Sequence, residues 1–222
     1  MSDLAGNAYL VVPDDGPGHG VLVLHSWWGL TRGVKDLVES LADAGYTALA
    51  PDLLHGALPE TADEARDLLA ATDPNETAAL VLSSIVALRA HSADPDGPVA
   101  VLGFSMGASW ALWVATRQPA SVDAVVAYYG SQNIDFEALT APVMGHFAEH
   151  DPLVTEDELV EMQAHLLLLD KHVEFHRYPG TSHWFAEVAP DASTDGESAT
   201  MAAEAAALAW ERTMEFLATH AV

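Results

Sequence analysis

The chain has 222 residues, half of them hydrophobic, and carries 33 acidic against 8 basic side chains for a formal net charge of −25. Such a field repels nucleic acid and anionic membranes, so neither is an expected partner. With no cysteine in the chain, disulfides, thiolate metal sites and a cysteine nucleophile are all excluded.

The length suits one domain over residues 1–222. The start, Met1-Ser2-Asp3-Leu4-Ala5-Gly6, lacks a basic region followed by an apolar core and does not read as a secretory signal. No apolar run approaches the ~20 residues that span a bilayer, and the expected location is the cytoplasm. The acids are spread out, as on a solvated surface. Salt adaptation and the codon bias of a GC-rich genome both produce such a surface, and charge does not identify the reaction.

In chain order, Ala8–Val12 and Val21–His25 read as strands. An amphipathic helix follows over Thr31–Ala44, with Leu37, Val38 and Leu41 at helical spacing and Gly45 where a C-terminal cap belongs. Strand Thr47–Ala50 precedes helices Thr61–Ala71 and Glu76–His91, and strand Val99–Phe104 precedes helix Met106–Arg117. Strands Ala124–Tyr129 and Val143–Ala148 come next, then helix Thr155–Asp170, strand Val173–Tyr178 and a final helix, Ala199–Thr219. The final helix carries Leu208, Phe216 and Leu217 for packing on the sheet. This alternation predicts an α/β fold: a mostly parallel central sheet of about seven to eight strands, flanked by helices.

In such sheets ligands gather at the carboxyl ends of strands. One of those ends reads Gly103-Phe104-Ser105-Met106-Gly107 between a strand and a helix. A sharp strand-to-helix turn there lifts the serine oxygen to the top of the sheet and sets it at a helix N-terminus. The alternative is a tight turn with a helix-capping serine. A nucleophilic serine needs a base, and in this motif the acid and then the histidine follow it along the chain. Asp151 sits just past a strand end, before Pro152, with Glu149 as a nearby competing acid. His183 lies in the turn-rich Tyr178–Phe185 segment. Ser105, Asp151 and His183 are therefore the candidate catalytic residues.

Catalysis of acyl transfer also needs two donors to an oxyanion. The candidates are the backbone N–H groups of Met106, after the nucleophile, and of Trp27, after the strand ending at His25. Trp27 and Trp28 then either wall the acyl pocket or are plain core aromatics. Ser26, Trp28, Tyr129 and Trp184 are candidate pocket residues.

The chain resembles the dienelactone hydrolase family of α/β-hydrolases from about Val21 to Phe185. The resemblance rests on His25-Ser26-Trp27-Trp28-Gly29-Leu30, Ala50-Pro51-Asp52-Leu53, Gly103–Gly107, Tyr128-Tyr129-Gly130, the Asp151 turn and Tyr178–Phe185. It implies a single-domain α/β-hydrolase fold acting on esters or lactones without a cofactor. The best-known members use cysteine where this chain has Ser105, and a glutamate where it has Ser26. Dienelactone-cleaving members carry an arginine four residues beyond the catalytic histidine, where this chain has Glu187. A carboxyl group there repels a carboxylate substrate, so a neutral ester, lactone or thioester fits better.

His172 and His176 would share a strand face, and His146 and His150 stand close in sequence, yet no His-Glu-x-x-His occurs. Neither a metal nor a nucleotide is expected. The expectation is a serine hydrolase of a small ester or lactone, monomer or dimer. The alternatives are a thioesterase variant and a silent hydrolase fold that binds a small molecule.

Overall fold

Seven apolar runs pair into one sheet in a computed structural model that describes residues 8–187 and 197–221. The strands are β1 (Ala8–Val11), β2 (Gly20–Leu24), β3 (Thr47–Pro51), β4 (Val99–Phe104), β5 (Val122–Tyr128), β6 (Val143–His150) and β7 (Val173–Ser182). Their spatial order is β1-β3-β2-β4-β5-β6-β7, with β1 antiparallel to β3 and every other pairing parallel. The helices are α1 (Arg32–Asp43), α2 (Ala62–Ala71), α3 (Pro74–Arg89), α4 (Met106–Arg117), α5 (Glu156–Leu168) and α6 (Glu197–His220). No described helix is long and apolar enough to cross a membrane.

The central strands are continuous apolar runs because both faces are covered. On one face Leu22, Leu24, Val101 and Val125 pack with Val81, Ile85 and Leu88 of α3, Leu112 of α4 and Leu159 and Leu166 of α5. On the other, Val21, Val23, Leu102 and Val126 pack with Val38 and Leu41 of α1 and Phe216 and Leu217 of α6. Of the three α6 residues expected to pack on the sheet, Leu208 does not, being 41 % exposed.

Local chemistry sets the helix ends. Thr31 accepts the Val34 N–H at the start of α1, and Thr155 with Glu158 forms a reciprocal capping box at the start of α5. At the end of α1, the Gly45 N–H bonds Ala42 O and the Tyr46 N–H bonds Leu41 O, a Schellman closure. Helix α3 begins two residues before its sequence expectation, because Asp73 caps it and Pro74 fits its first turn.

The main departure is β7, which continues past Tyr178 through Pro179 and Gly180 to Ser182. Glu149 accepts the Gly180 N–H at 2.8 Å, and after an irregularity at Ala148/His150 the ladder resumes with His150 opposite Ser182. An edge strand tolerates a proline, so the extension survives the turn-like sequence.

Candidate active site

The chain leaves β2 through α1 toward β3 on one side and leaves β4 through α4 toward β5 on the other. Strands β2 and β4 are neighbours whose connections run opposite ways, so their carboxyl ends mark the switch point at which ligands gather in such sheets. Ser105 and the Ser26–Gly29 segment occupy those two ends.

Ser105 has φ 51° and ψ −114°, a region that L-residues avoid. Its N–H donates to Tyr128 O at 2.8 Å, which ties the turn to β5. Two glycines make the turn possible. A Cβ on Gly103 would lie 2.3 Å from Gly107 O, and one on Gly107 would lie 2.0 Å from Leu24 O. Helix α4 therefore seats directly on the end of β2. The serine side chain makes no capping bond to α4. Its Oγ lies 2.8 Å from His183 Nε2 instead.

His183 is buried, and its Nδ1 lies 2.7 Å from Asp151 Oδ2. An ionised carboxylate only accepts, so Nδ1 carries the proton and Nε2 is left to accept from Ser105. The other Asp151 oxygen accepts the Leu153 and Val154 N–H groups at 2.8 and 3.0 Å. Glu149 is exposed and engages Gly180 and His150.

The stretch after β2 is a turn with Trp27 and Trp28 at its centre, closed by the Gly29 N–H on Ser26 O at 3.2 Å. His25 clamps it from below. The Leu53 N–H donates to His25 Nε2 at 2.9 Å, so Nδ1 bears the proton and donates to Ser26 O at 2.6 Å. Burial keeps this imidazole neutral by lowering its pKa. The Trp28 N–H donates to Ser26 Oγ at 3.3 Å. The amides of Trp27 and Met106 have no acceptor among the described residues.

Trp27, Trp28 and Trp184 form an aromatic cluster, with centroids 5.5, 5.6 and 5.7 Å apart. Ala62, Ala65 and Leu69 of α2 cover it, and the Trp184 ring lies edge-on to His183 at 4.6 Å. The cluster is thus the apolar wall beside the histidine. Trp28 is almost wholly buried within it, while Trp184 is partly open.

Ser26 and Tyr129 are fully buried, and both spend their hydroxyls on Glu187. Ser26 Oγ donates to Oε1 at 2.8 Å and Tyr129 OH to Oε2 at 2.9 Å. Burial pushes the Glu187 carboxyl up to about 7, against the lowering effect of these two bonds. Sequence reasoning singled out Ser26 and Glu187 separately and missed that they meet. The signal available was that Ser26 and Glu187 both stand out as departures from the pattern that the resemblance implies.

The other histidines lie elsewhere. His146 is buried, with Nδ1 2.8 Å from Tyr178 OH and Nε2 3.0 Å from Thr213 Oγ1, whereas His150 is exposed. His172, Glu174 and His220 bring ligand atoms within 4.8 Å of one another, at the opposite end of β7 from His183. His176 stacks on His146 at 5.6 Å rather than joining that group.

Comparison with known proteins follows the same lines. Residues 7–221 match the dienelactone hydrolase family. Protein usf of Aquifex pyrophilus is 29% identical over 186 residues, covering 80% of each chain. Carboxymethylenebutenolidase 1 of Cupriavidus pinatubonensis is 29% identical over 224 residues, covering 95% of this chain and 90% of that one. The crystal structure of a dienelactone hydrolase-like promiscuous phosphotriesterase from metagenomic libraries superposes with a TM-score of 0.77 at 20% identity, over 96% of this chain and 91% of that one.

Proposed function

The chain belongs to the dienelactone hydrolase family, and we propose that it is a single-domain serine hydrolase cleaving a small uncharged carboxylic ester or lactone. The observation that carries this reading is the chain of contacts from Ser105 Oγ to His183 Nε2 at 2.8 Å and from His183 Nδ1 to Asp151 Oδ2 at 2.7 Å.

In this mechanism Ser105 Oγ attacks the carbonyl carbon while its proton passes to His183 Nε2. Asp151 holds the imidazole in the tautomer that can accept and stabilises the imidazolium that forms. The oxyanion takes hydrogen bonds from the Trp27 and Met106 amides, with the N-terminus of α4 adding its dipole. His183 returns the proton to the leaving alcohol oxygen, leaving an acyl-serine. Water, deprotonated by the same histidine, then releases the acid and restores Ser105. In a lactone the leaving oxygen stays tethered, and the product is one hydroxy acid. The tryptophan wall favours apolar acyl or alcohol groups, and the Glu187 carboxyl disfavours a substrate with its own carboxylate.

The test is labelling by a fluorophosphonate together with initial-rate hydrolysis of p-nitrophenyl acetate. Both are expected in the wild type and absent in Ser105→Ala. Labelling or turnover that survives the substitution overturns the assignment.

A further inference from the structure

Glu187 stands outside the serine relay, yet three loops of the site converge on its carboxyl. Its amide donates to Trp184 O at 2.9 Å, which fixes it to the turn that begins at His183. One oxygen takes the Ser26 hydroxyl from the loop after β2, and the other takes the Tyr129 hydroxyl from the end of β5. Both connections lead to the reacting groups. Ser26 Oγ accepts the Trp28 N–H, so the side chain that Glu187 holds also holds the turn presenting the Trp27 amide. Tyr129 has φ 38°, its N–H donates to His146 O at 2.7 Å, and its ring lies 5.0 Å from His183.

Two buried hydroxyl donors facing one group call for an acceptor with two free oxygens. Neither hydroxyl is exposed, so loss of that acceptor strands a donor rather than returning it to water. On the serine-hydrolase reading above, we infer that Glu187 is a positioning residue that holds the oxyanion loop in register with the histidine loop, and that its carboxyl excludes anionic substrates. Burial is the largest influence on this carboxyl and raises its pKa. The groups facing it are the neutral Ser26 and Tyr129, with the Asp151 carboxyl and the His183 ring beyond Tyr129. No basic side chain among the described residues pairs with it. Below neutral pH the carboxyl takes a proton and becomes a donor, and one of the two hydroxyls must rotate its own proton away and accept instead.

The test uses p-nitrophenyl acetate and the 4-nitrophenyl monoester of succinate, with wild type, Glu187→Ala, Glu187→Gln and Ser26→Ala. Misplacing the oxyanion loop lowers kcat on the acetate by about 10- to 100-fold in Glu187→Ala, with KM changed by less than about threefold. Adding Ser26→Ala to it costs little more, because both act through one connection. Glu187→Gln keeps the shape and recovers about tenfold of the loss. It also raises the succinate-to-acetate ratio of kcat/KM by about tenfold or more and removes the pH dependence of that ratio.

A kcat within twofold of wild type in Glu187→Ala, or an unchanged ratio in Glu187→Gln, overturns the inference. If Glu187→Ala does not fold, the Glu187→Gln ratio and the Ser26→Ala rate decide the matter. Ser105 labelling separates this inference from the hydrolase reading. Wild-type labelling rates in both Glu187 variants, with Ser105→Ala silent, remove the role of Glu187 alone. A wild type that neither labels nor turns over removes both.

Discussion

Glu187 and Ser26 are 161 positions apart in sequence and share a hydrogen bond of 2.8 Å. The bond keeps an acidic group inside the protein at a cost that depends on pH. The Glu187 carboxyl lies near 4.5 when free and about 7 in the fold. The folded state therefore binds this proton more tightly. Its contribution to stability is fully present below about 4.5 and is lost as pH rises through about 7. Glu187→Gln should remove a pH slope of about one proton from that window. Denaturant titrations at several pH values in wild type and variant measure it, and equal slopes would contradict the assignment.

His146 acts in the opposite sense. Burial lowers its pKa from 6.5 to about 3, so the unfolded chain binds this proton more tightly. Its contribution to stability is present above about 6.5 and is lost as pH falls toward 3. His25, lowered by its own burial, adds a loss of the same sign. His146→Gln should shed about one proton of the acid slope. It should also cost about 1–3 kcal/mol at neutral pH, because the hydroxyls of Tyr178 and Thr213 lose a buried partner. Urea midpoints at pH 5 and 8 read both effects.

The two acids after β6 should separate by function. Asp151→Asn leaves the shape but takes away the carboxylate that fixes the His183 tautomer, and kcat should fall by about 10⁴. Glu149→Ala removes a bond to Gly180 at the rim, and kcat should stay within about threefold of wild type. A large loss in Glu149→Ala with Asp151→Asn active would reverse the two roles.

Gly107→Ala tests the seating of α4. The new methyl would stand 2.0 Å from Leu24 O and 2.7 Å from His25 O, both backbone atoms that cannot step aside alone. A loss of about 2–4 kcal/mol in denaturant stability is expected, with activity falling as β2 and the nucleophile turn are pushed apart. A variant with wild-type stability would mean that α4 does not pack this closely on β2.

Helices α1–α6 and strands β1–β7 were legible because each rests on signals within a few residues: apolar periodicity, a threonine or aspartate cap, or a glycine after the last turn. The largest departure lay where a longer-range partner overruled the local signal. Pro179 and Gly180 read as a turn, yet β7 runs through them because Glu149 and His150 of β6 supply the pairing. Leu208 reads as core from composition but points outward on α6.

The order Ser105, Asp151, His183 and the strand-end position of each could be read from the chain, because a strand-turn-helix nucleophile constrains where its partners must follow. Distance is another matter. That Asp151 rather than Glu149 reaches the histidine depends on how β6 and β7 pair beyond Ala148. That Glu187 meets Ser26 and Tyr129 depends on three loops meeting beyond the carboxyl ends of the strands. Periodicity and turn chemistry act over about a helical turn or two, whereas these contacts exist only after the sheet has set the strand ends side by side.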